Sequence, residues 1–535
     1  MADPPPAFVE SFSADERRAL APYFTNVDRP VFAPINLPEV VKGALFARYS
    51  RSAKSLRRLF LDEFLDELGG AAVPVAVGVE RAERLYDKVF VEYGDDSVAQ
   101  LGGVHLACEN VSNVLTKILE WGRLMAYLEQ STRYVPYTGR PGGRFRYHVP
   151  AELVGTPAAA GYSAALDLAF STYGKWLEPM ERYLETRHPR ADDVSPAVYR
   201  RTIRAKALDA LRGLLPAATL ANVGIFGTGQ AYEALLLRMR ANPLREVQHC
   251  AELMLNELRE VVPAFLRRVD KPERGGRWSR YLADSRRETA RVAAEVLAGV
   301  TADPPDEVTL SDFDPAGETK VVAAAMYAVS TLPDSVLAAR ARTMSHEERL
   351  RVLTAYVGDR RNRRHKPGRA FERTSYRFDV LTDYGAFRDL QRHRMLTLEW
   401  QALSPDHGYI VGDAVEQAGA LDDWRRVMDA CARVYHEIVR ESGNREIAAY
   451  AVPMAHRVRF YMEMNAREAM HTIELRTGPQ GHPSYRRVCQ RMHRLIAEVA
   501  GHRAIADSMR YADHGEVELE RLDAERAAEQ RRGDG

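Results

Sequence analysis

The chain has 535 residues, 46% of them apolar and 28% charged, a balance that excludes global disorder and a length that predicts two sizeable domains. Lys and Arg (75) nearly cancel Asp and Glu (74), which leaves a net charge of +1. No overall field would therefore hold the chain on nucleic acid or on an anionic membrane, and we expect neither as a partner.

The N-terminal segment predicts neither a signal peptide nor a membrane span. Met1 to Pro6 is acidic and proline-rich, and no run of 18 apolar residues occurs in the chain. The four cysteines are far apart with no C-x-x-C pair, which argues against a disulfide framework or a thiolate zinc site, and no metal site is expected. These features predict a soluble cytoplasmic protein.

The same order of segments occurs twice along the chain. Amphipathic helices are predicted at Glu39–Ser50 and Glu318–Ser330, and the pairs Leu215-Pro216 and Val452-Pro453 each precede a long apolar stretch. Each copy then closes with an amphipathic helix, and these two helices align without a gap from Arg245 and Arg486. An internal repeat is the simplest explanation.

A proline-rich acidic stretch, TADPPDEVTLSDFDPAG from Thr301, separates the two copies. We therefore predict an N-terminal domain over residues 1–300, a C-terminal domain over 301–520 and a charged tail over 521–535. About thirty extra residues in the first copy predict an insertion near 138–199. Short β-branched segments among many helical ones predict a helix-dominated α+β class: Val308–Leu310 and Tyr376–Leu381.

Two arginines flank a histidine at Arg392-His393-Arg394, which concentrates cationic donors into an anion site. Residues at i and i+2 on a helix diverge by roughly 200°. Both arginines can therefore touch one ligand only at a helix end or at an interface. The alternative is a solvated basic face around a hydrogen-bonded histidine.

A second cluster comprises Asn465, Arg467, His471 and Arg476, in which Arg467 and His471 are i,i+4 neighbours on a predicted helix. A half-buried Arg-His pair needs acceptors, which a phosphate or a heterocyclic carbonyl could supply. The alternative is ordinary salt bridging with nearby glutamates: Glu463, Glu468 and Glu474.

A third cluster, Glu129, Ser131 and Arg133, follows the sequence ILEWGRLMAYL, which we predict to be helical. A carboxylate, a hydroxyl and a guanidinium within five residues suit a nucleotide-binding turn. The alternative is a helix C-terminus, where such residues serve capping.

Together these residues resemble the flavin-dependent thymidylate synthases, whose signature has the form R-H-R-x-x-S-x-N-E-x-S-x-R-Y. The second copy holds the front of it as Arg392-His393-Arg394-x-x-Thr397, and the first holds the back as Glu129-x-Ser131-x-Arg133-Tyr134. In register, the first copy has Trp121-Gly122-Arg123 for R-H-R. The second has Trp400, Ala402 and Ser404 for the Glu, Ser and Arg. Each copy keeps what the other lacks.

The resemblance extends downstream in the second copy. Arg459, Asn465-Ala466-Arg467 and Arg476 are in register with the family's flavin- and nucleotide-binding positions. Three positions depart from the family pattern, with Arg373 for a histidine, Asp389 for a glutamine and His471 for an asparagine. In the first copy the Asn-Ala-Arg counterpart is eroded to Thr228-Gly229-Gln230, whereas two upstream segments look family-like: Ala47–Ser50 and Gly94–Gln100.

The resemblance implies two tandem domains of this family, each a small antiparallel sheet packed with helices. It implies FAD as cofactor and methylation of dUMP to dTMP, with methylenetetrahydrofolate and NADPH as co-substrates and no catalytic cysteine. Because family members are homotetramers with sites shared between subunits, a fused pair would form a homodimer that mimics a tetramer.

The implied composite site divides its residues between the copies. FAD would be held by Arg392, His393, Arg394, Asn465, Arg467 and His471. The nucleotide would be held by Glu129, Ser131, Arg133, Arg459 and Arg476, with Arg392 and Arg476 as the catalytic residues. The main alternative is a non-catalytic paralogue that binds flavin or nucleotide as a sensor or scaffold. An arginine-rich RNA-binding protein is disfavoured because the net charge is near zero and no aromatic-glycine stacking motif occurs.

Overall fold

The computed structural model describes residues 11–24, 26–28, 34–39, 41–42, 45, 55–65, 102–133, 135–301, 306–516, 519, 522 and 526. Four sequence predictions therefore lie wholly or mostly outside the described residues: the helix at Glu39–Ser50, the two upstream segments of the first copy, the role of Tyr134 and the charged tail.

Seven strands are described, and we number them in chain order: β1 (Gly103–Ser112), β2 (Met125–Glu129), β3 (Leu220–Thr228), β4 (Val308–Phe313), β5 (Ser375–Asp383), β6 (Thr397–Trp400) and β7 (Arg457–Asn465). The helices of the first half are α1 (Ala14–Leu20), α2 (Leu56–Glu63), α3 (Asn113–Leu119), α4 (Ala158–Arg187), α5 (Pro196–Leu211), α6 (Gly229–Arg240), α7 (Arg245–Val261), α8 (Pro263–Leu266) and α9 (Arg277–Val296). The helices of the second half are α10 (Gly317–Tyr327), α11 (Asp334–Thr343), α12 (His346–Val357), α13 (Tyr384–Leu390), α14 (Asp413–Gln417), α15 (Leu421–Ser442), α16 (Arg445–Ala448), α17 (Ala466–Arg476), α18 (Pro483–Glu498) and α19 (Arg503–Asp507).

The order of elements confirms the tandem repeat. The run β1, α3, β2 in the first half matches β5, α13, β6 in the second, and the run β3, α6, α7 matches β7, α17, α18. The sheets have the corresponding strand orders β1-β3-β2 and β4-β5-β7-β6, in which β4 is an added edge strand. The fold is helix-dominated α+β, as the sequence predicts.

The same local chemistry starts the corresponding helices in both halves. Ser112 and Asp383 are the last residues of β1 and β5 and cap the helices that follow, since their side chains accept from Leu115 N (3.0 Å) and Ala386 N (2.9 Å). Such N-caps stabilise a helix by about 1 kcal/mol and fix where the strand gives way to the helix. The α13 cap therefore sets the position of the segment that follows α13.

The second sheet is antiparallel in every pairing, with β7 between β5 and β6. Alternate residues of β7 are fully buried, from Val458 to Met464, as the two-residue period of a strand with one core face requires. The polar β7 side chains between them, including Arg459, lie on the other face. This alternation fixes the register, because a shift by one residue would expose the whole apolar set.

The chain forms two compact units that do not follow the repeat boundary. One comprises residues 1–109, 124–129 and 222–298, and the other comprises 110–123, 130–221 and 299–535. The second unit thus contains α3, α4 and α5 of the first half together with the whole second half. The predicted domain boundaries were drawn from the sequence repeat. The division into compact units does not test them, so they stay a prediction.

Within the second unit, equivalent segments of the two halves pair with each other. Pro216 and Pro453, which occupy matching positions in the repeat, form an antiparallel bridge. Ala217 N donates to Val452 O (2.9 Å), and Met454 N donates to Leu215 O (2.9 Å). Pairing of matching positions in antiparallel directions is what a local twofold relation between the repeats produces.

The prediction that ILEWGRLMAYL is helical is wrong for the second part of this segment. Helix α3 ends at Leu119, and Met125–Glu129 is strand β2, which pairs antiparallel with β3 so that Met125 lies opposite Gly227. A Cβ on Gly227 would come within 2.5 Å of the terminal methyl group of Met125, so a larger residue there would require this flexible side chain to move. Pairing with β3 overrides the helical pattern of the sequence. Glu129 therefore ends a strand, not a helix.

Helix α4 spans 30 residues inside the predicted insertion. It packs against α15, where Ala158 N donates to Glu441 Oε2 (3.2 Å) and Trp176 Nε1 donates to Asp423 Oδ2 (2.8 Å). The insertion thus contributes a long core helix to the second unit. Among the described residues, none of the helices combines the length and apolar character required to span a lipid bilayer.

Candidate active site

The Arg392-His393-Arg394 triplet lies just beyond the C-terminal end of α13, in the turn that leads into β6. Gln391 holds this turn by donating through Nε2 to Lys117 O (2.6 Å), a carbonyl of the first repeat. Arg392 and Arg394 are exposed and His393 is buried. A helix end is one of the two places where both arginines can reach one ligand, as the sequence argument requires.

His393 is fixed by a network from α17. Its Nε2 accepts a hydrogen bond from Arg476 Nε (2.9 Å), and its Nδ1 lies 3.0 Å from Thr472 Oγ1 and 3.3 Å from Glu468 Oε1. Since Nε2 is the acceptor, this network assigns the ring proton to Nδ1. His393 therefore orients the guanidinium of Arg476.

The charge state of His393 agrees with that role. Burial lowers the pKa of His393 well below its ordinary value, and the neighbouring cations Arg476 and Lys366 lower it further. Burial likewise lowers the pKa of His471 on α17 to about 4, against the opposing effect of Glu468. Both rings are neutral near pH 7 and act as polar partners, not as cations.

Asp389 joins arginines from both repeats. Its carboxylate lies 3.5 Å from Arg212 of the first repeat, and 3.9 Å and 4.0 Å from Arg392 and Arg476 of the second. Burial works against ionisation of Asp389, but these arginines and Arg388 outweigh it and hold its pKa well below the ordinary range. A permanent carboxylate therefore stands among the cations that the sequence assigns to phosphate and flavin.

Arg133 of the first repeat reaches the second repeat. Its Nε donates to both oxygens of Asp209 (2.8 and 2.6 Å), and its Nη1 donates to the backbone carbonyl of Gln480 (3.1 Å). Burial would lower the pKa of Arg133, but Asp209 raises it above its usual value, so the charge is permanent. Ser131 accepts from Arg133 N (3.2 Å) and so shapes the turn that carries this arginine.

Gln480 lies on the rim of a cavity of about 620 Å³. The cavity is lined by three arginines, Arg363, Arg476 and Arg510, and by Tyr485, whose ring centroid is 5.5 Å from the Arg476 guanidinium carbon. This volume is within the range of small-molecule sites. An aromatic ring beside converging guanidinium groups suits a flat ligand that carries an anionic group.

The other predicted site residues make separate local contacts. Asn465 caps α17 by accepting from Glu468 N (2.9 Å), and Arg467 donates to Pro367 O (2.9 Å) while its Nη1 lies 3.5 Å from Glu372. Arg459 pairs with Asp379 on the adjacent strand (3.0 Å). Glu129 belongs to the other compact unit. Of the predicted site residues, contacts thus join Arg392, Arg476, His393 and His471, the last by an edge-to-face ring contact with His393 (centroids 5.5 Å apart). Arg133 contacts Gln480, which lines the same cavity as Arg476.

Two tryptophans stand at the signature positions that the repeats do not keep. Trp121 and Trp400, which replace the first arginine and the glutamate of the signature, meet edge to face with ring centroids 5.8 Å apart. Trp121 Nε1 also donates to Leu398 O (3.1 Å), and Arg123 donates to Thr397 Oγ1 (3.1 Å). Where the signature residues are missing, side chains of the two repeats pack against each other.

One group of described residues has the composition of a metal site. His393, Glu468 and His471 place potential ligand atoms within 4.8 Å of one another. The proton on His393 Nδ1 occupies the nitrogen that faces Glu468, and Arg363 and Lys366 add positive charge nearby. A hydrogen-bonded network explains this group without an ion, and the absence of a metal stays an expectation.

Several residues of the site do not follow from the sequence pattern. Arg363, Arg510 and Tyr485 line the cavity, and Asp209 and Arg212 come from the end of α5. The turn sequence Thr477-Gly-Pro-Gln-Gly between α17 and α18 was a usable signal, since it supplies Gln480. The others meet their partners through the packing of separate elements and carry no local signal.

Comparison with known proteins identifies relatives over nearly the whole chain. A family model described as thymidylate synthase complementing protein matches residues 44–264 and 309–501. A UPF0159 protein of Chlamydia muridarum is 36% identical over 522 residues, which are 96% of this chain and 98% of the relative. A UPF0159 protein of Chlamydia pneumoniae is 35% identical over 524 residues, again covering 96% and 98% of the two chains.

More distant similarity is also found. A UPF0159 protein of Thermoplasma acidophilum is 31% identical over 511 residues, covering 90% of this chain and 97% of the relative. Among solved structures, a UMP/dUMP methylase PolB from Streptomyces cacaoi bound with 5-Br dUMP aligns at 21% identity and a TM-score of 0.30. That alignment covers 38% of this chain and 96% of the methylase.

Proposed function

The chain belongs to the thymidylate synthase complementing protein family, and from this premise we propose that it methylates dUMP to dTMP in a composite site shared by its two repeats. One observation carries the proposal: Arg133 of the first repeat donates to Gln480 on the rim of the cavity that contains Arg476 of the second. The two halves of the split signature thus supply cations to one region of the same compact unit.

The substrate roles follow from charge and hydrogen bonding. We assign the nucleotide phosphate to the guanidinium groups around the cavity, with Arg133 foremost, because bidentate guanidinium donors suit phosphate oxygens. Arg476, oriented by His393, would donate to a uracil carbonyl, which holds the base and stabilises negative charge on that oxygen when a nucleophile adds to C6. Glu129, Ser131 and Arg459 keep their predicted substrate roles within this proposal.

The residues around the Arg392-His393-Arg394 triplet have the chemical groups that a flavin requires, namely cations and hydrogen-bond donors. Arg392 and Arg394 present exposed guanidinium groups at the end of α13, and Arg467 and His471 lie on one face of α17. FAD is an anion with a pyrophosphate and a carbonyl-rich ring, so these residues together with Asn465 would hold it. When bound, FAD would supply hydride transfer, while the protein contributes orientation and positive charge.

The co-substrates and the assembly are part of the same proposal. NADPH would be the reductant and methylenetetrahydrofolate the source of carbon. Two chains would form a homodimer, whose four repeats take the place of four subunits. Light scattering of the purified protein should then give about twice the 60.2 kDa of the chain, and a monomeric mass would refute the assembly.

The decisive experiment combines colour and complementation. The purified protein should be yellow with flavin absorbance, and its gene should support growth of a thymidine-requiring bacterium without thymidine. Arg133→Met and Arg392→Met, one variant in each repeat, should each abolish rescue. Arg287→Met, which removes an exposed arginine paired with Asp284, is the control and should rescue normally. A colourless protein would refute the proposal.

The second candidate function is a flavin- or nucleotide-binding sensor or scaffold. It is favoured by Asp389, a carboxylate standing where the family has a neutral glutamine, close to two of the predicted ligand-binding arginines. A yellow protein that binds dUMP but fails to rescue growth at normal expression would support this function and exclude the enzyme.

A further inference from the structure

The second compact unit contains another cavity, of about 440 Å³, in which none of the residues discussed as ligand-binding takes part. Its wall comes from the ends of α4 and α5, the start of α13, α14 and α15, and the start of α18. Helices of the insertion thus form one side of the cavity and the second repeat forms the other.

Two buried donors in this wall have no hydrogen-bond acceptor among the described residues. They are Arg212 Nη2 and Trp424 Nε1, and their side chains belong to residues only 4% and 3% exposed. A buried N–H without an acceptor costs about 1–3 kcal/mol, more when it is charged, and native proteins rarely tolerate several together. Acceptor atoms inside the cavity would remove this cost.

One buried acceptor lies in the same wall. Asp383 uses Oδ1 to cap α13, and its buried Oδ2 makes no hydrogen bond of good geometry among the described residues, although the Ser484 hydroxyl lies close enough to lower the pKa of the carboxyl. Burial raises the pKa of Asp383, and the nearby Arg212 opposes this rise. The wall therefore offers two donors, one of them cationic, and one carboxyl oxygen that can pair with a hydroxyl group.

The packing keeps these groups fixed. Trp424 lies against Gly213, where an added Cβ would come within 2.7 Å of the indole ring. Arg212 is held on its other side by Asp389 (3.5 Å). Arg212 and Trp424 both line this cavity, and a cavity of this size with a few polar groups in its wall has the usual composition of a binding site for a small polar molecule.

We propose that this cavity is a second ligand site, which binds a small hydroxylated metabolite bearing a phosphate or carboxylate group. The oxyanion accepts hydrogen bonds from Arg212 Nη2 and Trp424 Nε1, and a hydroxyl of the ligand pairs with Asp383 Oδ2. Lys206 and Arg487, which also line the cavity, add positive potential. Because Arg212 also contacts Asp389, a ligand anion in this cavity shares Arg212 with the carboxylate of the composite site.

Isothermal titration of the full-length protein with ribose 5-phosphate tests the site. We expect saturable binding of one ribose 5-phosphate per chain. Trp424→Phe, which keeps an aromatic side chain and removes the N–H, should weaken this binding about tenfold, the loss expected for one hydrogen bond to a charged group. Ala414→Phe, which narrows the cavity from α14, should abolish it.

Two controls assign the binding to this cavity. Arg392→Met should bind ribose 5-phosphate as the parent does, whereas Trp424→Phe should keep the parent affinity for dUMP and the parent melting temperature. Absence of ribose 5-phosphate binding at millimolar concentration would overturn the proposal, as would parent-like binding by a folded Trp424→Phe. Loss of binding in Arg392→Met would assign it to the composite site. A failure of dUMP binding alone would overturn the proposed function and leave this site intact.

Discussion

At the scale of single residues, the proposed composite site depends on one carboxylate. Asp389 is the common neighbour of Arg212, Arg392 and Arg476, and it stays ionised because these cations outweigh the effect of burial. The carboxylate fixes the arginines, but it also neutralises part of the charge that a phosphate would use. The two effects have opposite consequences for ligand affinity, so a substitution can tell which is larger.

We predict that Asp389→Gln binds dUMP about tenfold more tightly than the parent. Removal of a negative charge near two arginines strengthens their attraction for a phosphate by about 1–2 kcal/mol at the dielectric of a partly solvated site. Equilibrium titration with dUMP measures the effect. Asp314→Asn, which removes a half-buried carboxylate paired with Lys320, should leave the affinity unchanged. Weaker binding by Asp389→Gln would show that the carboxylate mainly positions the arginines.

Buried neutral histidines should make the fold sensitive to acid. Burial lowers the pKa of His456 from its ordinary 6.5 to about 4. Between these values the unfolded chain takes up a proton that the folded chain does not, so the stabilisation is complete above pH 6.5 and is lost as the pH falls towards 4. The loss from this residue amounts to about 2 kcal/mol at pH 5.

Urea unfolding of His456→Gln at pH 7 and pH 5 tests this assignment. The variant should lose less free energy of unfolding between the two pH values than the parent does. His436→Gln, at a side chain that is 57% exposed, should match the parent. An equal loss in His456→Gln and the parent would show that other groups account for the acid sensitivity.

At the scale of elements, the sequence predicted the helices and strands whose apolar residues recur at a regular local spacing. The strands at Val308 and Tyr376, the helix from Glu318 and the aligned pair α7 and α18 all follow from apolar spacing. Strand β2 did not, because its pairing partner β3 lies about a hundred residues away and ILEWGRLMAYL reads as a helix when taken alone. The register of the split signature did not depend on that error, since it rests on counting residues and not on their conformation.

The packing between Trp121 and Trp400 allows a test at this scale. The two rings meet edge to face between the turn after α3 and strand β6, an arrangement that contributes about 1 kcal/mol beyond simple burial. We predict that Trp121→Leu and Trp400→Leu destabilise the protein non-additively, with a coupling energy of about 1 kcal/mol.

Chemical denaturation of the two single variants and the double variant measures that coupling. Trp121→Phe separates the ring from the N–H that donates to Leu398 O, and it should keep most of the coupling with Trp400. Additive effects of the two leucine substitutions would mean that the rings do not interact in solution.

At the scale of the whole molecule, the site joins segments that sequence order keeps apart. Arg133, Asp209 and Arg212 come from the first repeat but lie in the same compact unit as the second. The resemblance pointed to Arg133, Arg392 and Arg476, whose roles stay a prediction, whereas Asp209, Arg363 and Arg510 are evident only from the folded structure. Neighbours of this kind are set by long-range packing, and no local pattern specifies them.

The same arrangement predicts the number of sites. Duplication alone would give each chain two composite sites, but only the combination of Arg392-His393-Arg394 with Ser131 and Arg133 keeps its cations and hydroxyl. The opposite combination pairs Trp121 and Trp400 and has Ala402 and Ser404 in place of the phosphate donors. The two packed indole rings provide neither the positive charge nor the hydrogen-bond donors that binding of a nucleotide phosphate requires.

We therefore predict that one dUMP and one flavin bind per chain. Titration calorimetry with dUMP and absorbance of the released flavin give the two ratios. The matched variants Arg394→Met and Arg123→Met, which alter equivalent positions in the two repeats, sharpen the test. Arg394→Met should lower the flavin content, and Arg123→Met should leave it unchanged because its partner Thr397 belongs to the packed interface. Two dUMP molecules per chain, or an equal loss of flavin in both variants, would show that the repeats still act symmetrically.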